Sequence, residues 1–307
     1  MTHRFAVFAT FFSAAGLALS SIVQAMNLVP GDFYTSDWQT NVILHLNSTG
    51  ALVDTYTVDK AYGSNLQGLT FGPDGRLYVV TNRDSSGFGV IAIDNSGTVQ
   101  QAFGGNEIFS NGNSGKISFG VGGECYVSNR DHLIAFTPGN SAGSVIYTAN
   151  QVYDAKQLPS GNLLVVSAYQ LDEITPTGTF VRRILSQDTL TDAHSVEYDS
   201  ATDKIYVSMN GSSNGYFHLL RVDGSTSSVE IFSTVNYSDD ILRTNDGRYV
   251  VTNRGSVPGI FDENLIQIGS LGTHEPNFVT QMPTVPEPAT LLVLGLGAGV
   301  LLRRRRK

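Results

Sequence analysis

The chain has 307 residues, 41% of them apolar and only 15% charged, with 32 glycines and 13 tyrosines. That is enough apolar material for a packed core, and the charge content lies well below the ~25% usual for soluble domains. The formal charge is −8; without residues 1–25 and 287–307, 13 basic residues face 26 acidic ones. So acidic a surface repels phosphate backbones and excludes nucleic acid as a partner. In chain order, an export signal comes first. Arg4 supplies a basic start, "FAVFATFFSAAGLALSSIV" an apolar stretch, and Val23-Gln24-Ala25 a small-residue cleavage site, which predicts a signal peptide over 1–25.

From residue 26 to 283 the chain repeats itself. "LTFGPDGRLYVVTNRD" (69–84), "ISFGVGGECYVSNRD" (117–131), "AKQLPSGNLLVVSAY" (155–169), "VEYDSATDKIYVSMN" (196–210) and "ILRTNDGRYVVTNRG" (241–255) share one pattern. Each is an alternating strand, a tight turn and a second strand rich in Tyr and Val. The turn residues Gly75, Gly123, Gly161, Asp203 and Gly247 lie 48, 38, 42 and 44 residues apart, and a further hairpin-like stretch follows each pair. Four strands per ~40–50 residues is the period of a β-propeller blade. "PGDFYTSDW" (30–38) matches a second strand without its first, and "HEPNFVTQMP" (274–283) reads as a first strand without its successors. Joining them gives one composite blade, made from the C-terminal strand and three strands of 32–59, and leaves no free sheet edge at the seam. The prediction is therefore all-β: a six-bladed β-propeller of four-stranded blades. Cys125, the single cysteine, sits in a strand and reads as a small buried hydrophobe; no intrachain disulfide is possible.

Residues 284–288 read as a linker holding Pro286, Glu287 and Pro288, and 289–307 as a short hydrophobic segment with a basic tail. The apolar run 289–302 would reach roughly 21 Å as a helix, against ~30 Å of bilayer hydrocarbon. Arg303–Lys307 would stay cytoplasmic, which places the body on the far side of the membrane. "VPEPATLLVLGLGAGVLLRRRRK" (285–307) resembles the PEP-CTERM sorting signal of Gram-negative bacteria. The resemblance implies an exosortase-type enzyme as processing partner. It also implies contact with the membrane only through the C-terminal segment before processing, and delivery to the envelope surface or extracellular matrix, often with exopolysaccharide.

The phrase "GLTFGPDGRLYVV" resembles repeats of the NHL and gluconolactonase-like (senescence-marker) six-bladed propellers. In the latter group, carboxylate and Asn side chains from first strands hold a divalent metal at the channel mouth. The comparable positions here are Gln67, Gly115, Tyr153-Asp154, His194, Asp239-Asp240 and Glu275. Asp154, Asp240 and Glu275 could supply hard oxygen ligands for Ca²⁺, and His194 could act as base or ligand. The Asn-Gly-aromatic signature of those enzymes is absent, and acidic residues at loop–strand junctions commonly cap turns, so the structural role is favoured and no cofactor is expected. A second constellation is Asn82-Arg83, Asn129-Arg130 and Asn253-Arg254, each at the end of a second strand. These pairs could grip carboxylates of an acidic polysaccharide, or could serve blade packing. The favoured reading is a non-enzymatic binding module for exopolysaccharide or envelope protein. A Ca²⁺-dependent lactonase and a purely architectural matrix component are the alternatives.

Overall fold

The computed structural model describes residues 25–37, 39–82, 89–103, 115–209, 218–234, 238–253, 255–272 and 274–284. They form six four-stranded antiparallel sheets, with a single 3₁₀ turn at Lys60–Tyr62 between the first two blades. Blade 1 is composite. Its strands β1 (Phe33–Ser36), β2 (Val42–Leu46) and β3 (Leu52–Thr57) follow an inner strand drawn from the end of the chain, Phe278–Gln281, which is β24. The register runs Phe33 to Gln281, Tyr34 to Thr280, Thr35 to Val279 and Ser36 to Phe278. The predicted closure is thus the observed one.

The other blades are contiguous in sequence. Blade 2 holds β4 (Ser64–Phe71), β5 (Leu77–Asn82), β6 (Val90–Ile93) and β7 (Val99–Phe103). Blade 3 holds β8 (Ile117–Phe119), β9 (Cys125–Asn129), β10 (His132–Phe136) and β11 (Ser144–Thr148). Blade 4 holds β12 (Val152–Gln157), β13 (Leu163–Ser167), β14 (Gln170–Ile174) and β15 (Phe180–Leu185). Blade 5 holds β16 (Ala193–Asp199), β17 (Lys204–Met209), β18 (His218–Asp223) and β19 (Val229–Thr234). Blade 6 holds β20 (Ser238–Arg243), β21 (Tyr249–Asn253), β22 (Ser256–Phe261) and β23 (Gln267–Ser270).

The core is divided among the blade boundaries. Leu163, Leu164, Val165 and Val166 are all fully buried, because a second strand is covered on both faces by neighbouring blades. Such strands read as continuous apolar runs rather than alternating ones. Alternate residues then serve different boundaries: Leu163 and Val165 pack with Tyr126 of blade 3, and Leu164 and Val166 with Val196 and Val207 of blade 5. At the seam, Val250 and Leu271 of blade 6 meet Phe33, Leu46 and Val279 of blade 1. Each fully buried aliphatic side chain contributes roughly 1.5–3 kcal/mol. Cys125 is wholly buried, and burial pushes its thiol pKa up. Hydroxyls tie the blades together on one face. Ser36 Oγ donates to Gln67 O (2.7 Å), Ser128 Oγ to Tyr153 O (2.6 Å) and Thr252 Oγ1 to Asn277 O (2.6 Å), each from a second strand to a residue in, or just before, the next blade's inner strand.

Candidate functional site

The six inner strands run side by side around a central channel lined by residues 68–70, 116–118, 154–156, 196–197, 240–242 and 279–280. At the start of β12, β16 and β20 the pairing register skips one residue, at Tyr153, His194 and Asp239. Such bulges re-aim the extra side chain. Here they turn Tyr153, His194 and Asp239 toward one another across blade boundaries. His194 Nδ1 lies 3.2 Å from Asp239 Oδ1, Asn277 Nδ2 donates to Asp239 Oδ2 (2.6 Å), and the Tyr153 and His194 rings are 4.3 Å apart. The second ring nitrogen of His194 lies 3.3 Å from Asp192 Oδ1. Burial alone would depress the imidazole pKa, but hydrogen bonds and charge from Asp192 and Asp239 more than offset it and raise the value. Both nitrogens are engaged by carboxylates, so His194 offers neither a free base nor a metal-ligating lone pair.

Beneath this mouth lies a second ring, one residue from each blade: Gly68, Lys116, Asp154, Ser195, Asp240 and Phe278. Lys116 Nζ is 2.5 Å from Asp240 Oδ1, 3.6 Å from Asp154 Oδ2 and 5.9 Å from the centre of the Phe278 ring. Ser195 Oγ contacts both carboxylates, at 2.9 Å to Asp154 and 3.1 Å to Asp240. These groups also satisfy the inner sheet edges, whose backbone donors have no further strand to meet. Val196 N donates to Asp154 Oδ2 (3.1 Å), Ile241 N to Ser195 Oγ (3.3 Å) and Val279 N to Asp240 Oδ2 (3.0 Å). In each case the ring residue of one blade receives the amide of the next. Burial raises the Asp154 carboxyl pKa, and the Asp240 charge adds to this, against the opposing pull of Lys116. Gly68 is required by this geometry: a Cβ there would stand 2.7 Å from Lys116 Cα and 2.9 Å from Gly115 O. Below, the Lys156 ammonium pairs with Glu197 at 2.8 Å.

The structure thus brings Asp154 and Asp240 together, with a lysine ammonium between them. Glu275 lines a separate cavity of about 640 Å³ with Asp37, Gln39, His274 and Asn277. Asn277, two residues on, takes the mouth position of blade 1. Among the described residues, no three His, Cys, Asp or Glu side chains gather in a metal-holding group. Asn129 is half-buried and Arg130 exposed at the end of β9, with Arg130 O accepting from Val152 N. Asn82 and Asn253 end β5 and β21, whereas Arg83 and Arg254 lie outside the described residues, as do Pro286, Glu287 and Pro288. Sequence reasoning missed Lys116, Ser195 and Asn277. The signal available was positional: Lys116 follows Gly115 as Asp240 follows Asp239.

Residues 284–307 match the PEP-CTERM protein-sorting motif. The chain is a propeller with a PEP-CTERM sorting tail. That motif indicates export and surface sorting, and is a substrate signal for exosortase processing. No curated protein sequence matches the chain. Solved structures resemble its PEP-CTERM-tagged body. A chain of the nidogen/laminin complex has a TM-score of 0.67 at 10% identity, over 83% of this chain and 99% of that one. A gluconolactonase from Xanthomonas campestris has a TM-score of 0.58 at 12% identity, over 82% and 89%. A Bacteroides caccae protein of unknown function has a TM-score of 0.56 at 12% identity, over 82% and 98%. At these identities the likeness establishes the fold. Among the described residues no helix is long and apolar enough to cross a membrane.

Proposed function

We propose that this PEP-CTERM propeller is delivered across the inner membrane to the envelope surface or extracellular matrix, where it works as a non-enzymatic binding module for exopolysaccharide or an envelope protein. The observation that carries this reading is the Lys116 ammonium seated between Asp154 and Asp240. A hydrolase that resembles the gluconolactonase type would need inner-strand carboxylates free to hold a divalent cation, which would polarise the carbonyl under attack. Here a tethered cation already stands between the two carboxylates, and their oxygens are also engaged by Ser195 and backbone amides. His194, the one candidate base, is held by two carboxylates. What remains for function is the mouth face, where the starts of the inner strands and the exposed Arg130 converge.

The test is a paired assay on a chain of residues 26–284. The protein is passed over immobilised exopolysaccharide from the producing cells, and separately incubated with aldonolactones with and without added Ca²⁺. The proposal expects salt-sensitive retention on the polysaccharide, weakened in Arg130→Ala, with lactone decay at the uncatalysed rate. Lactone turnover that depends on Ca²⁺, without retention, would overturn it.

A further inference from the structure

The first turn of a blade carries the same device in blades 2 and 6, and blade 3 departs from it in one respect. In blade 2, Gly72 N donates to Arg76 O and Gly75 N to Gly72 O; in blade 6, Thr244 N donates to Arg248 O and Gly247 N to Thr244 O. Both turns hold an Asp–Arg ion pair two residues apart, Asp74 with Arg76 at 2.7 Å and Asp246 with Arg248 at 2.6 Å. In blade 2 this pair also satisfies the tyrosine that follows: Tyr78 OH donates to Asp74 Oδ2 (2.8 Å) and accepts from Arg76 Nη2 (2.9 Å).

Blade 3 has the same turn, with Gly120 N donating to Glu124 O and Gly123 N to Gly120 O. It also has the same latch to the next blade as blade 6. Gln157 Oε1 accepts from Val121 N as Gln281 Oε1 accepts from Asn245 N, both at 2.7 Å, and each amide nitrogen donates to a glycine carbonyl of its own blade. The charges differ. Gly122 stands where the aspartate would be, and Glu124 where the arginine would be. An anion has replaced the cation, and the tyrosine has lost both partners. Three buried polar atoms are left without a hydrogen bond: Glu124 Oε2, Tyr126 OH and Oγ of Ser118, the cross-strand neighbour of Tyr126. Tyr126 is 2% exposed. The space is real. The point where a Cβ on Gly120 would sit is 2.8 Å from Glu124 Oε2, 3.0 Å from Gln157 Oε1 and 3.2 Å from the Tyr126 ring edge.

Buried polar groups in native proteins are almost always met by protein, water or an ion. A carboxylate oxygen, an amide oxygen and two hydroxyls form an all-oxygen set, and hard cations take such sets. We propose that the turn 120–124 of blade 3, with Tyr126, Ser118 and Gln157, binds a Ca²⁺ ion on the face opposite the channel mouth. The ion takes the place that the arginine guanidinium fills in blades 2 and 6. With a single carboxylate the site is weak, on the order of 10⁻⁴–10⁻³ M, the range of extracellular Ca²⁺ modules.

The experiment is a Ca²⁺ titration of residues 26–284, followed by thermal unfolding and calorimetry, with Mg²⁺ and Na⁺ at matched ionic strength as controls. Wild type is expected to gain thermal stability with Ca²⁺ in the millimolar range, and Glu124→Gln to bind at least tenfold more weakly. A double variant, Gly122→Asp with Glu124→Arg, restores the blade 2 arrangement. It is expected to fold with wild-type stability or better and to ignore Ca²⁺. A wild type indifferent to 10-fold excess over about 1 mM Ca²⁺, or a Glu124→Gln variant that responds as wild type does, would overturn the proposal. An equal response to Mg²⁺ and Na⁺ would overturn it too, by reducing the effect to general charge screening.

Discussion

Replacing Lys116 with Met removes the cation from the channel while keeping most of the side-chain volume. Its ammonium is 2.5 Å from Asp240 and 3.6 Å from Asp154, and all three side chains are about nine-tenths buried. In the variant two carboxylates share Ser195 with no counter-charge. Removing one partner from a buried ion pair costs about 3–5 kcal/mol, because a desolvated charge is stranded. For a domain of this size each kcal/mol is worth roughly 2–4 °C, so the midpoint should fall by about 6–20 °C. The loss should depend on pH. Burial already raises the Asp154 carboxyl, and without Lys116 its folded-state pKa rises further above the unfolded value. The destabilisation is then largest at neutral pH and shrinks as pH falls toward ~4, where protonation relieves the repulsion. A second substitution, Asp240→Asn, should recover much of the loss at pH 7. Urea unfolding at pH 7 and pH 5 measures both effects. A Lys116→Met loss below about 1 kcal/mol, equal at both pH values, would match an exposed pair and refute the reasoning.

Deleting 274–283 should unfold the domain or lower its midpoint sharply, since it strips β24 from β1 and the Val279 contacts from the seam; circular dichroism melts would show it. Gly68→Ala should cost about 1–3 kcal/mol in urea unfolding, because the methyl group meets backbone atoms of 115–116 rather than a movable side chain. His194 has a folded pKa raised above its unfolded value, so its contribution to stability is complete below about 6.5 and is lost as pH rises through the folded value. His194→Asn should remove that alkaline slope from a plot of urea midpoint against pH. Deleting 285–307 should leave a folded body that appears in the culture medium instead of the envelope fraction, as immunoblots of the two fractions would report.

Much of the fold was legible because a propeller repeats its turn chemistry. Gly75, Gly123 and Gly247 all have φ near +80° and close the same turn, so their spacing gave the blade period directly. The composite blade followed from two incomplete copies of that unit. The mouth was legible at Tyr153, His194 and Asp239, each the second residue of its strand, but not at blade 1. There Glu275 was two residues early, because Pro276 and Asn277 precede the first paired residue, Phe278. The channel network was hidden for a different reason. Lys116, Asp154, Ser195 and Asp240 are far apart in sequence and share no motif; only their common place, one residue after Gly115, Tyr153, His194 and Asp239, relates them. A lysine after glycine in "SGKISF" looks like a solvated loop residue. Ring closure, a tertiary fact, carries it to within hydrogen-bond distance of Asp240, 124 residues away.

A crystal of residues 26–284 grown or soaked in 10-fold excess over about 1 mM Ca²⁺, with anomalous scattering to locate the ion, bears on the channel without an intermediary. The result predicted here is continuous density for the Lys116 side chain reaching Asp240, with no anomalous peak between Asp154 and Asp240. An ion at that point held by three or more protein oxygens, with Lys116 turned away, would contradict the binding-module reading and restore metal-dependent hydrolysis.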